Sequence, residues 1–165
     1  MKLKHTEDYF IRSLLNKVKL KEIMTKTVVT INENEPFSHV AQRFNEFNIR
    51  HLPVVNNKGI LKGIITQRDL YRVCPPRKDQ KGKWIWDTQA LDSYILKHAM
   101  IKQVCTLSST HTVAQALLIM ADRKYGCIPI VDSKNKICGI ITQLDILKIG
   151  AQILKEGDQA KTSKG

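Results

Sequence analysis

The chain matches itself at a fixed offset of 76 residues, from Gly63 to Gly139, with no gap needed. Gly63-Ile64-Ile65-Thr66-Gln67-Arg68-Asp69 returns as Gly139-Ile140-Ile141-Thr142-Gln143-Leu144-Asp145, differing only at Leu144. The match reaches well outside the motif: Met24 meets Met100, Val28 meets Val104, Thr30 meets Thr106, Pro53 meets Pro129 and Val55 meets Val131. A fixed-period match constrains architecture more than any single motif does. Two copies are too few for a solenoid, so the expected product is one closed unit in which the repeats are related by a pseudo-twofold axis.

The repeated motif has a local physical meaning. Gly-Ile-Ile is an apolar run suited to a buried strand. Thr-x-x-Asp after it is a capping box, with Thr at the N-cap and Asp three residues on. A strand that runs into a capped helix presents free backbone N–H groups and the positive end of the helix dipole, which suits an anion such as phosphate. Capping alone explains one copy. Its return at the same place in each repeat favours a ligand role for Thr66, Asp69, Thr142 and Asp145.

At 165 residues the chain can bury a sizeable core. Its 42% apolar and 25% charged content is that of a globular protein rather than a disordered one. No apolar run approaches membrane-spanning length, so no membrane role is expected. The amino end carries acids and no apolar signal core, and the cytoplasm is the default compartment. Cys74, Cys105, Cys127 and Cys138 form no C-x-x-C pair and lie at no zinc-ligand spacing from histidine, so they read as buried free thiols. No nucleophile with a base and no catalytic acid pair emerges; the chain does not read as an enzyme.

The formal net charge is +12. Residues 1–22 hold six basic side chains and three acids; residues 72–83 hold Arg72, Arg77, Lys78, Lys81 and Lys83 against Asp79 alone. Such segments could meet nucleic acid, an anionic membrane or an acidic partner, although the sequence shows no reader with aromatics interleaved among basic residues.

In chain order, residues 8–20 have helical apolar spacing (Phe10, Ile11, Leu14, Leu15, Val18) and form an N-terminal leader helix. Thr27–Ile31 is β-branched and predicts a strand. Pro36 sits in the first turn of a helix whose apolar face is Phe37, Val40, Ala41, Phe44 and Phe47. Leu52–Val55 predicts a second strand, which begins at an edge or has an exposed first residue because Pro53 lacks a donor. Asn56-Asn57-Lys58-Gly59 is a hairpin turn, Ile60–Ile65 the returning strand, and Thr66 opens the next helix. The linker, about 73–87, has Trp84 and Trp86 as anchors. A short helix follows with Leu91, Tyr94, Ile95 and Leu96. Repeat two repeats the order: strand Val104–Leu107, a helix capped by Ser109 or Thr110 and bearing Val113, Leu117 and Met120, a hairpin around Asp132–Asn135, and a helix opened by Thr142. From residue 155 the tail is expected to be disordered. The boundaries are 1–22 for the leader, 23–73 and 98–154 for the repeats, and 74–97 for the linker and its short helix.

Two β-α-β-β-α units, each with I/V-P-V/I-V before its hairpin and G-I-I-T-x-x-D after it, resemble a tandem CBS-domain pair, the Bateman module. The resemblance covers residues 20–150, and the first motif is also similar to the regulatory insert of IMP dehydrogenases. It implies an α+β fold and a regulatory role without resident cofactor. It implies that an adenosine compound (AMP, ADP or ATP, with S-adenosylmethionine and cyclic di-AMP as further candidates) binds in clefts between the repeats. On this resemblance Asp69 and Asp145 hold ribose hydroxyls, and Thr66 and Thr142 contact phosphate. Backbone at Thr27 and Val28, or at Gln103 and Val104, reads adenine. Arg50 and His51 stand where the family places phosphate contacts, and Arg68 joins them from the motif. Repeat two has Gly126 and Cys127 instead, so the two sites should differ in phosphate affinity. The resemblance also implies a homodimer, with Phe37/Val40/Phe44 and Leu117/Met120 as candidate faces, and a regulated target protein that the sequence leaves unknown. The alternative is a basic protein of this scaffold that binds nucleic acid or an acidic partner.

Overall fold

The computed structural model of the chain describes residues 5–162. The elements in order are α1 (His5–Lys17), α2 (Leu20–Ile23), β1 (Ile31–Asn32), α3 (Ser38–Glu46), β2 (His51–Val55), β3 (Leu61–Thr66), α4 (Gln67–Val73), β4 (Arg77–Lys78), β5 (Trp84–Ile85), α5 (Thr88–Asp92), α6 (Leu96–Ala99), α7 (Val113–Arg123), β6 (Cys127–Val131), β7 (Ile137–Thr142) and α8 (Gln143–Thr162). The fold is α+β; repeat one has the order β-α-β-β-α (β1-α3-β2-β3-α4), and repeat two has α-β-β-α (α7-β6-β7-α8) with an isolated bridge in place of its first strand. The chain forms two compact units: Thr27–Cys105 with Val131–Cys138, and the remainder, which takes the chain up to Lys26, Thr106–Ile130 and the chain from Gly139 onward.

The first of these, the repeat-one unit, is built on the sheet β1-β2-β3. β2 and β3 are antiparallel, with His51 opposite Thr66 and Pro53 opposite Ile64. Pro53 therefore lies in the middle strand and not on an edge. Ile64 exchanges both backbone bonds with Ile101, at 2.9 and 3.0 Å. Pro53 and Ile64 are thus a non-hydrogen-bonded pair, and the missing donor faces the β1 side. There β1 begins its parallel pairing only at Val54, so the proline breaks no bond. The strand expected over Thr27–Ile31 shrinks to Ile31–Asn32: Thr27 is a bend and residues 28–30 pair with no strand.

α3 packs Phe37, Val40, Ala41 and Phe44 onto this sheet with Leu52, Val54, Ile65 and Leu70. Phe47 does not join them; the helix ends at Glu46 and Phe47 is 48% exposed. No side chain of its own caps α3. Instead Asp92, on α5, accepts from the Ser38 N–H at 2.8 Å, which satisfies one of the orphan donors. The hairpin turn forms as expected: the Asn56 carboxamide accepts from Lys58 and Ile60 N–H, and Gly59 takes φ 74°. Asp132 plays the same part in repeat two, with Asn135 at φ 57° in the glycine's place.

The linker is ordered as a two-stranded ribbon, β4 against β5. Only one tryptophan anchors it. Trp86 packs against the core and lies 5.4 Å from the Tyr71 ring, whereas Trp84 is 62% exposed. The short helix expected after the linker is two, α5 and α6. Leu91 and Leu96 are buried in the repeat-one core, while Tyr94 and Ile95 are exposed.

The repeat-two unit contains α1, α2, α7 and α8. The leader is not one helix: Val18 and Lys19 interrupt it because their neighbourhood bonds to the chain before α7. The Leu20 N–H donates to the His111 carbonyl at 2.8 Å, and the Val113 N–H donates to the Val18 carbonyl at 3.0 Å. α7 is capped by Thr112 in a capping box with Gln115, not by Ser109 or Thr110. Ser108 and Thr110 are tied into the preceding turn with His111. Val113, Ala116 and Met120 are the buried face of α7. β6 and β7 form a two-stranded sheet, and Leu107 meets Ile130 in a single parallel bridge where a full strand is expected. α8 continues through the stretch from residue 155, expected to be disordered, as far as Thr162. Its Lys155, Glu156, Gln159, Ala160 and Lys161 are good helix formers. Residues 163–165 lie outside the described residues.

The leader segments are exchanged. Thr25, before repeat one, bridges Ile140 of repeat two, and Ile101, before repeat two, bridges Ile64 of repeat one. These two bridges are related by the offset of the sequence repeat.

Candidate functional site

In both repeats the motif is a strand-to-helix junction locked by its own side chains. At α4 the Asp69 carboxylate accepts through Oδ2 from the Thr66 N–H at 3.0 Å and from the Thr66 hydroxyl at 2.6 Å. The Thr66 oxygen in turn accepts from the Asp69 N–H at 3.3 Å. At α8, Asp145 Oδ2 accepts from the Thr142 N–H and hydroxyl, each at 2.8 Å, and the Asp145 N–H reaches Thr142 at 3.4 Å. One carboxylate oxygen is thus committed to capping. At Asp69 the other, Oδ1, meets among the described residues only Arg72, at 3.8 Å, through a largely exposed side chain. It remains a strong acceptor at the mouth of a helix N-terminus.

The glycine that begins each motif has a reason of its own. A Cβ at Gly63 would lie 2.6 Å from Met100 Sδ and 2.9 Å from the Ile101 carbonyl oxygen. At Gly139 it would collide with Met24 Sδ. The glycines admit the exchanged methionines. The sequence signal was present in the Met24–Met100 match, but nothing local says that a glycine receives each one.

His51 opens β2 directly opposite Thr66, and the Arg50 carbonyl accepts from the Gln67 N–H at 3.0 Å. The two basic residues before the strand therefore stand beside their own repeat's motif. Burial, and then the Arg50 charge, hold the His51 imidazole below the usual histidine range, against an opposing pull from Asp69. Arg50 and Arg68 are exposed. Repeat two has the same backbone device, with the Gln143 N–H donating to the Gly126 carbonyl at 3.0 Å, and no charge at Gly126 or Cys127. The first junction is the more electropositive of the two.

The adenine-reading candidates are less closely grouped. Thr27 and Val28 belong to the repeat-one unit, in the unpaired stretch before β1. Gln103 and Val104 belong to the same unit and not to that of Thr142 and Asp145. They follow Ile101, whose bridge to Ile64 is antiparallel, so the chain there runs back along β3 away from Thr66. Arg72 was not foreseen at the site; its position three residues after Asp69 on a helix could have suggested it.

Other groups in the chain are structural. Burial alone would raise the Glu35 carboxyl, but the Asn32 N–H, His39 and Arg43 outweigh it and hold it low. Burial pushes the Cys127 thiol up to about 12. Among the described residues no three His, Cys, Asp or Glu side chains are grouped to hold a metal, and no helix is long and apolar enough to cross a membrane.

Comparison with known proteins gives the same two repeats. The profile described as "CBS domain" matches residues 20–75 and 96–151. A CBS domain-containing protein of Dictyostelium discoideum is 28% identical over 144 residues, 84% of this chain and 95% of that protein. The chain spans only 26% of the archaeal homoserine O-acetyltransferases it also matches. Among solved structures, a CBS-domain pair in complex with 5'-methylthioadenosine and S-adenosyl-L-methionine superposes with TM-score 0.68 at 24% identity, over 82% of this chain and 97% of that one. A second, CBSX2 in complex with AMP, gives TM-score 0.68 at 19% identity, over 82% and 98%.

Proposed function

The chain belongs to the CBS-domain family and carries the domain twice, and from that premise we propose that it is a regulatory, non-catalytic sensor of an adenosine ligand. The relatives of known complex hold AMP, or S-adenosylmethionine and methylthioadenosine. In this chain the ribose hydroxyls bond the free carboxylate oxygen of Asp69 or Asp145, and Thr66 or Thr142 with the helix N-terminus faces a phosphate. Arg50 and Arg68 add positive charge at the first junction alone, and His51 adds an uncharged imidazole beside them. That junction accordingly prefers the ligand with more phosphate: ATP or ADP over AMP, and AMP over S-adenosylmethionine. The observation that carries the reading is the half-committed carboxylate. Capping uses Oδ2 of Asp69 and leaves Oδ1 with only the long 3.8 Å contact to the exposed Arg72, near a histidine that burial holds below the usual range.

Binding changes a target protein only by as much as the ligand prefers one arrangement of the chain over another. The protein acts as a homodimer in this reading. Phe37, Val40 and Phe44 are fully used in their own core, so the dimer face lies elsewhere; exposed Leu144 and Leu147 on α8 suit it better. Light scattering that returns a monomer mass at micromolar concentration removes the dimer.

The test of the ligand is a thermal-shift series with AMP, ADP, ATP, S-adenosylmethionine and cyclic di-AMP on wild type, Asp69→Asn and Asp145→Asn. Asparagine keeps an acceptor for the cap and removes the charge. A ligand at a hundred times its Kd stabilises the fold by about 2.7 kcal/mol. A shift lost in one variant names the working junction. No shift with any of the five, or shifts that survive both substitutions, refutes the proposal.

A further inference from the structure

The linker ribbon carries a feature that ligand sensing does not use. Arg77 and Lys78 on β4, and Lys81 and Lys83 in the turn before β5, are exposed. The only acid of the group, Asp79, is turned inward: its Oδ1 accepts from the Lys81 N–H at 2.9 Å and the Lys83 N–H at 2.8 Å. It shapes the turn, with Gly82 at φ 77°, and pairs with none of the lysines. Among the described residues Arg77, Lys78, Lys81 and Lys83 have no ion-pair partner.

Trp84 stands in this field, 62% exposed, opposite Lys78 on the neighbouring strand. The Lys78 ammonium lies 5.2 Å from the ring centroid and braces it by a cation–π contact. Two residues on, Trp86 is packed against Tyr71 and the core. One tryptophan therefore fixes the ribbon to the body, and the other is offered to solvent on an ordered platform. A braced aromatic ring within a net-positive ribbon is the combination that binds single strands: bases stack and phosphates pair with cations.

We propose that the β4–β5 ribbon binds single-stranded nucleic acid, with a base stacked on Trp84 and phosphates held by Arg77, Lys78, Lys81 and Lys83. A membrane surface fits less well. The apolar side chains available are Trp84 and Ile85, and successive residues of a strand point to opposite faces, so the two cannot enter a bilayer together.

The experiment is fluorescence anisotropy with labelled U12 RNA and dT12 DNA at 50 and 200 mM salt, beside a duplex of the same length and vesicles of 30% phosphatidylserine. The variants are Trp84→Ala, Trp84→Phe and Lys81→Glu/Lys83→Glu, with circular dichroism melts to verify folding. Expected is binding of one or both single strands that weakens with salt, with a log–log slope of about −2 to −3 for three or four phosphate contacts. Trp84→Ala should lose roughly ten- to a hundredfold, Trp84→Phe should retain most affinity, and the double charge reversal should flatten the slope. RNA and DNA alike, or either alone, upholds the proposal and states its source. Binding absent at 50 mM salt, unchanged in Trp84→Ala, stronger for duplex, or confined to vesicles overturns it. Adenosine-ligand shifts are read separately through Asp69→Asn and Asp145→Asn, so either reading can fail alone.

Discussion

Substituting Gly139 by alanine tests whether the exchanged leader is seated as described. The added Cβ would meet Met24 through Sδ, through Cγ at 3.0 Å and through Cε at 3.2 Å, all side-chain atoms. At Gly63 the same substitution meets Met100 Sδ at 2.6 Å and Cγ at 2.9 Å, and also the Ile101 backbone oxygen at 2.9 Å. That oxygen accepts from Ile64 and cannot swing aside. Overpacking of this kind costs about 1–3 kcal/mol. Each kcal/mol lowers Tm by about 2–4 °C in a chain of this size, so each variant should melt several degrees below wild type. Neither glycine has a positive φ. Without the methionine contact, alanine would instead stabilise by about 0.4–1 kcal/mol through the unfolded chain. The sign of the change therefore decides the matter. Relief should also differ between the repeats. In a double-mutant cycle with Met24→Ala, most of the cost of Gly139→Ala should vanish. With Met100→Ala, part of the cost of Gly63→Ala should remain, because the carbonyl stays. Urea melts of the two cycles supply the measurement. A Gly139→Ala protein as stable as wild type, or one that Met24→Ala does not rescue, refutes the seating.

Other predictions rest on single groups. Thr112→Ala should cost about 1 kcal/mol through loss of the α7 cap, while Ser109→Ala should cost little; equal losses in denaturant melts would contradict the Thr112 cap. His51 titrates lower in the folded chain than in the unfolded one, chiefly through burial. The unfolded chain then binds more protons between the two values, so stability is complete above about pH 6.5 and declines as pH falls below it. His51→Gln should remove that part of the acid sensitivity, seen as a smaller Tm difference between pH 7.5 and 5.5; an unchanged difference would contradict it. Cys127, buried and raised to about 12, should resist iodoacetamide at pH 8 until urea unfolds the chain. The half-buried Cys105 and Cys138 should be modified first, as peptide mass mapping would show.

Features encoded over a few neighbouring residues were legible in the sequence. The Thr66–Asp69 and Thr142–Asp145 boxes, the Asn56–Gly59 turn and its Asp132–Asn135 counterpart each close through bonds no more than four residues apart. Their residue types suffice to specify them. The apolar periods of α3 and α7 announced helices with a buried face. The 76-residue match announced two copies of one unit, and its motifs announced the family.

What the tertiary structure decided is which partner each face meets. The 76-residue match pairs Met24 with Met100 but does not say that each crosses to the glycine of the other repeat. Pro53 removes a donor in any fold; only the pairing shows that this donor would have faced a place β1 does not reach. Trp84 and Trp86 have the same composition and adjacent contexts, yet one is packed on Tyr71 and the other is exposed. The α3 cap comes from Asp92, 54 residues away. Local sequence can specify bonds whose closure entropy is small. Contacts that close long loops depend on surfaces that exist only once the units have formed.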